Sequence, residues 1–267
     1  MRFVTTLAAL AALALAPLPA HATTFTDSEF VTWSQGAWGG DPACNSFGCN
    51  ISAILEMNFD SVFAPFGGLL QVGIPSPAGF SLIFDSPDSI ITYLPAEGDS
   101  GVLTVSLLDP VTSASGTLGG EVVTGELNVI FSEDGLLAHP TGVPFGDLVL
   151  QNLDSLVGTP IFGGVFGPEI ASLDGVPVHE LLSEANLLLG GATSQLTPEE
   201  MFVILNDVDM SFNGGPVSTF AMEHLAFPPS TTPAVPEPST WALLLIGFAS
   251  LGFVGYRASR RTGATSP

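Results

Sequence analysis

Between Thr23 and Pro236 the chain carries twenty-five Asp and Glu residues and not one Lys or Arg. Whatever this segment folds into has no ammonium or guanidinium group to set against a buried carboxylate. Each acid must be solvated, capped by backbone N–H groups or shared with a cation, because an unpaired buried charge is too costly. The unopposed carboxylates give the segment a formal charge near −25, which favours solubility, attracts cations and repels anionic surfaces. Nucleic-acid binding is excluded on the same ground, since no Lys or Arg is present to neutralise phosphate.

All four basic residues, Arg2, Arg257, Arg260 and Arg261, lie at the two ends. Residues 1–22 begin with Arg2, continue through a largely apolar run from Phe3 to Leu18 and finish Ala20-His21-Ala22. A positive start, an apolar centre and a small-x-small exit predict a signal peptide, cleaved by signal peptidase after Ala22, with Ala20 and Ala22 as the recognised pair. Pro17 and Pro19 argue against a first buried helix.

At the other end, residues 241–256 contain no charge. At 1.5 Å per residue they extend about 24 Å, so with Thr240 and the stem of Arg257 they just cross a thin bilayer. Trp241 and Tyr256 sit where interface anchors belong, and the arginines predict a cytoplasmic C-terminus. The expected divisions are a signal peptide at 1–22, an ectodomain at 23–227, a Pro/Ser/Thr spacer at 228–239, a single transmembrane helix at 240–256 and an Arg-rich tail at 257–267.

The order Val235-Pro236-Glu237-Pro238-Ser239-Thr240-Trp241, one apolar span, then Arg257, Arg260 and Arg261 closely resembles the PEP-CTERM sorting signal. That resemblance implies a Gram-negative, exopolysaccharide-producing host and an inner-membrane intermediate. It also implies an exosortase-type protease that reads Pro236, Glu237 and Pro238 and releases the ectodomain to the cell surface or matrix. These residues are a substrate of processing and perform none themselves.

The ectodomain is long enough for one substantial core. Its many glycines, with scattered Asn, Ser, Thr and Pro, suit short strands joined by tight turns. Strands are expected at 30–33, 51–59, 69–72, 80–84, 89–94, 101–108, 120–131, 147–151 and 219–227, and a loop with at most a short strand at 158–167. Residues 101–108 alternate most clearly, with Leu103, Val105 and Leu107 assigned to the inner face. In 120–131, Leu127, Val129 and Phe131 alternate with Glu126 and Asn128 in the same way.

Two segments change period. In 178–191 Leu181, Leu182, Ala185, Leu188 and Leu189 form a helical stripe closed by Gly190. Thr197-Pro198-Glu199-Glu200 reads as a capping box with proline at the first helical position. Met201, Leu205, Val208 and Phe212 then supply a stripe, although the apolar run 202–205 leaves a strand open. The predicted class is therefore mainly β: an antiparallel β-sandwich or jelly-roll-like domain with two short helices and a C-terminal transmembrane helix.

A second, weaker resemblance covers most of the ectodomain. Residues 31–39, 93–95, 108–110, 119–123, 127–131 and 146–149, with the leucine-rich helix ending at Gly190-Gly191, look like an uncharacterised module of bacterial exported proteins. It implies a domain and no activity.

Cys44 and Cys49 are the only cysteines. In an exported chain so close a pair reads as a disulfide, which by loop closure would contribute about 2 kcal/mol. A zinc site would need further ligands from His139, His179 or His224, each isolated in sequence. Calcium, held by carboxylates, is the cofactor the acidity allows; otherwise none is expected.

No Gly-x-Ser-x-Gly elbow, His-Glu-x-x-His pair or phosphate loop occurs. Carboxylate pairs for glycosidic chemistry would be Asp207 with Asp209, Asp85 with Asp88, or Glu133 with Asp134. Trp33, Trp38 and Tyr93 are candidates for stacking on sugar rings. The expected function is a non-enzymatic surface or matrix protein associated with exopolysaccharide or biofilm. The alternatives are a calcium-dependent carbohydrate-binding or adhesive module, and a carboxylate-based glycoside-active enzyme.

Overall fold

The structure, a computed structural model, describes residues 24–40, 51–140, 142–161 and 163–229. The chain divides into two units, Met1–Pro228 and Pro229–Pro267, and every described element belongs to the first. Cys44 and Cys49, the signal-peptide residues and the sorting motif lie outside the described residues, as does the expected membrane span. Among the described residues no helix is long and apolar enough to cross a membrane.

The fold is helical, which overturns the expected β-sandwich or jelly roll. Of the described residues 47% are helical and 11% are strand. The organising element is α4 (Gly116–Glu133), preceded by α1 (Gln35–Trp38), α2 (Ile51–Phe63) and α3 (Pro87–Tyr93). It is followed by α5 (Val178–Leu189), α6 (Pro198–Asp209) and α7 (Thr219–His224). Helices α1, α5 and α6 pack around α4. Its residues from Leu118 to Gly125 are all buried, so over these two turns it presents no wet face. Three glycines let neighbours approach: a Cβ on Gly125 would lie 2.5 Å from Leu182 Cδ2 of α5.

The longest of the expected strands became a helix for a simple physical reason. Period two and period 3.6 are separable only when one face is wet. In 120–131 both faces are dry, and Leu127, Asn128 and Val129 are all buried. The stripe Ile51, Leu55, Phe59 and Val62 is helical once the segment is followed beyond residue 59. Residues 89–93 belong to α3, which Ser86 and Pro87 open as N-cap and first helical residue, and Leu94 is its extended C-cap. Residues 219–224 form α7, where the Ser218 hydroxyl accepts from Ala221 N–H.

What strand remains is short. β1 (Leu70–Gly73) pairs antiparallel with β2 (Ser81–Phe84), Leu70 opposite Phe84, near the expected 69–72 and 80–84. β3 (Leu107–Leu108) adds in parallel and is all that forms of the 101–108 strand. There Leu103 is buried while Val105 is 53% exposed, so the assigned inner face does not exist. β4 (Val149–Leu150) pairs with β7 (Leu225–Ala226), and β5 (Pro160–Ile161) forms a small hairpin with β6 (Gly164–Val165). Residues 30–33 contribute only an isolated bridge between Thr32 and Asn213.

α5 and α6 stand where the sequence places them; both pack against α4, and α5 also packs against β1, the edge strand of the small sheet, where Gly73 N–H donates to Asn186 Oδ1 at 2.6 Å. Met201, Leu205, Val208 and Phe212 are buried as their spacing demands. An aromatic cluster closes the chain on itself. Phe25 stacks on Phe227 with centroids 5.1 Å apart, and Phe30 lies 5.1 Å from Phe212.

Candidate functional site

α4 and α6 together position two features, one open and one closed. The open feature is a cleft of about 640 Å³ where the loop after α3, the first turn of α4, the β5–β6 turn and the first turn of α6 converge. Asp99 and Glu199 supply carboxylates, Ser100 and Thr117 supply hydroxyls 2.9 Å apart, and Phe202 supplies an apolar wall. Volume and lining suit a small polar ligand. Glu199 is held there by the capping box: Thr197 Oγ1 accepts from Glu200 N–H at 3.2 Å and Glu200 Oε2 accepts from Thr197 N–H at 2.9 Å.

The closed feature lies in the α4–α6 seam. Glu121, Thr124 and Asn128 fall at spacings of three and four on α4 and so share a face; all three are buried. Asp209, at the end of α6 and 1% exposed, meets Asn128 and Glu121. Gln35 Nε2 donates to Glu121 Oε1 at 2.7 Å, and Asn128 Nδ2 donates to Asp209 Oδ1 at 2.9 Å. Asn128 Oδ1 in turn accepts from Trp33 N–H at 2.9 Å and from Trp38 Nε1–H at 3.2 Å. Among the described residues no donor reaches the buried Asp209 Oδ2, and the buried Thr124 Oγ1 has no hydrogen-bond partner.

Burial pushes the Asp209 carboxyl well above the usual carboxylate range, and the charge of Glu121 adds to it; the Asn128 hydrogen bond offsets only part. Burial likewise raises Glu121, against the hydrogen bonds of Gln35 and Asp209, with the charge of Asp207 raising it further. Elsewhere burial raises Glu126, which accepts from Asn186 Nδ2 at 2.7 Å. Burial also raises Asp207, partly offset by His224.

The carboxylate pairs read from the sequence are not the pair that the fold assembles. Asp85 and Asp88 are exposed, as are Glu133 and Asp134. Asp207 and Asp209 are two apart on α6 and leave the helix in different directions. The partner of Asp209 is Glu121, assigned beforehand to a strand. The signal that could have found it is a Glu inside the unbroken small and apolar run 118–125, in a chain with no cation to pair it.

Trp38 and Tyr93 are buried, and the Tyr93 hydroxyl lies 2.8 Å from Ser113 Oγ, so neither ring face is open to a sugar. Trp33 is half-buried, and its Nε1 is buried without a partner among the described residues. His139, His179 and His224 sit 2.8, 2.9 and 3.3 Å from the carbonyls of Pro140, Gly146 and Gln151. Among the described residues no three of His, Cys, Asp and Glu converge to hold a metal ion.

A family model of the PEP-CTERM protein-sorting motif matches residues 234–261. The chain carries a PEP-CTERM sorting signal. It is therefore an exported protein, sorted to the cell surface and processed by an exosortase, as Pro236 to Pro238 and the terminal arginines lead one to expect. No curated protein and no solved structure matches the chain. The sorting signal thus fixes the handling of this PEP-CTERM protein, and the cleft and seam are what the ectodomain itself offers.

Proposed function

We propose that this PEP-CTERM protein is a non-enzymatic component of the cell surface or extracellular matrix of a Gram-negative bacterium, associated with exopolysaccharide or biofilm. It passes through an inner-membrane intermediate, held by residues 240–256, before the exosortase releases the ectodomain. The observation that carries this is the sorting signal at 234–261 joined to an acidic ectodomain without Lys or Arg. The geometry supports the non-enzymatic part. The carboxyls that meet in the interior, Glu121 and Asp209, are 4% and 1% exposed and cannot reach a glycosidic oxygen.

Replacing Pro236, Glu237 and Pro238 together by Ala tests the route. The variant is expected to stay full-length in the membrane fraction, while the parent chain sheds its ectodomain. Equal shedding by both would overturn it. Deletion of the protein is expected to change matrix polysaccharide retention; an unchanged matrix would remove the biofilm association.

A second reading, a carbohydrate-binding module, is favoured by the cleft, where hydroxyls and carboxylates flank the Phe202 ring. Calorimetry against the host's own polysaccharide, with Phe202→Ala as the comparison, decides it. Heat that the substitution abolishes supports this reading, and no heat from the parent chain discards it.

A further inference from the structure

We propose that Glu121 and Asp209 share one proton as a buried acid–carboxylate pair, and that loss of this proton as pH rises loosens the α4–α6 seam. Four observations lead there. The two carboxyls are 4% and 1% exposed and lie within hydrogen-bond reach of each other, in a segment that holds no Lys or Arg. The amide donors that reach them are one from Gln35 on α1 and one from Asn128 on α4, each to one oxygen of a different carboxyl. Among the described residues no donor reaches Asp209 Oδ2, and Thr124 Oγ1 on the same α4 face has no partner. Two adjacent carboxylates with so few donors cannot both stay ionised, whereas a proton on Asp209 turns it into a donor for Glu121. The raised proton affinity of both groups agrees with this.

Among the described residues the surroundings offer no competing counter-charge. From α6 the further titratable group facing the pair is Asp207, itself an acid, which raises Glu121. From α7 His224 faces Asp207, and from α5 Asn186 meets α4 at Glu126. α1 contributes the neutral amide of Gln35. The turn Met210–Phe212 contains no titratable side chain.

The sign follows from linkage. The folded state holds a proton that the unfolded chain releases at about pH 4. The stabilisation is therefore complete below the unfolded carboxylate range and is lost as pH rises through the folded value. An exported ectodomain would be tightest in acidic surroundings.

The test is urea unfolding of the full chain in detergent between about pH 4 and 9, for the parent, Asp209→Asn and Glu121→Gln. The carboxamide that Asp209→Asn introduces can still donate to Glu121, so the side chain keeps its shape and loses its proton. In the parent, the unfolding constant is expected to rise by up to about tenfold per pH unit across the pair's titration. Asp209→Asn is expected to lose that extra slope. Infrared difference spectra below the pair's titration and above the range of exposed carboxylates are expected to show a protonated carboxyl stretch in the parent that is missing from Asp209→Asn. Parallel pH profiles for parent and variant would overturn the proposal. So would absence of the protonated stretch in the parent, which needs no variant to fold, or a stoichiometric metal ion that survives dialysis and accounts for the pair's stability. If Asp209→Asn does not fold, Glu121→Gln must show the same loss of slope, and a profile unchanged from the parent refutes the pair.

Discussion

Asn128 is held in one orientation, because both groups that approach its Oδ1, Trp33 N–H and Trp38 Nε1–H, can only donate. Its Nδ2 must then serve the acceptors Trp33 O and Asp209 Oδ1, both at 2.9 Å. One side chain thereby fixes the entry of the chain into α1, the α1–α4 contact and the buried acid of α6. Truncation strands four groups in a dry site at about 1–3 kcal/mol for each one left unsatisfied. Asn128→Ala is expected to destabilise the fold by about 3 kcal/mol or more, read from the urea midpoint. Gly120 makes the complementary point. A Cβ there would overlap the Gln35 carboxamide, the donor to Glu121. Gly120→Ala should therefore cost about 1–3 kcal/mol through overpacking, although alanine is the better helix former; equal or greater stability would show that Gln35 has room to move.

Elements were legible where chemistry marks a boundary or a wet face exists. The start of α6 is written in Thr197-Pro198-Glu199-Glu200, and the structure realises the capping box in full. Glu200 Oε1 also accepts from Gly167 N–H at 2.7 Å, so the cap ties α6 to the turn Pro168–Leu173. Burial opposes ionisation of Glu200, but the N–H groups of Thr197 and Gly167 outweigh it and hold the carboxyl below its ordinary range. Thr197→Ala is expected to cost about 1 kcal/mol, measured by chemical denaturation. α5 was legible by its leucine stripe and Gly190. α4 was not, because a helix buried on all sides carries no polar face from which to read its period. Its glycines, taken as turn signals, are contact points for Gln35 and Leu182. The cleft was illegible for a different reason. Asp99, Thr117, Glu199 and Phe202 come from three distant segments, and nothing local links them. The sorting signal is contiguous, with its chemistry in linear order, and was readable without any fold.

At the scale of the whole molecule, the missing cations reverse the usual response to acid. Five acids, Glu121, Glu126, Glu133, Asp207 and Asp209, are raised with burial as the leading cause, so their contributions fade as pH rises through their folded values. Asp109 and Glu200 are lowered, Asp109 chiefly by the Asp85 N–H; the contribution of Glu200 fades in the opposite direction, as pH falls through its folded value. Stability is therefore expected to be higher near about pH 5 than near about pH 8, the reverse of a protein held by ionised salt bridges; a thermal midpoint that rises with pH would contradict this. Self-repulsion among the surface carboxylates acts in the same sense and can be isolated by salt. Raising ionic strength from about 0.01 M to about 0.15 M shortens the screening length from about 30 Å to about 8 Å. Repulsion between separated surface acids then falls sharply, while the buried Glu121–Asp209 site is little affected. The thermal midpoint at about pH 8 should rise with sodium chloride, and the gain should shrink toward about pH 4, where the surface acids take up protons. If chloride salts of sodium and calcium at equal ionic strength give equal gains, screening accounts for the effect. A calcium-specific gain would instead mean that carboxylates of the ectodomain are bridged by the divalent ion.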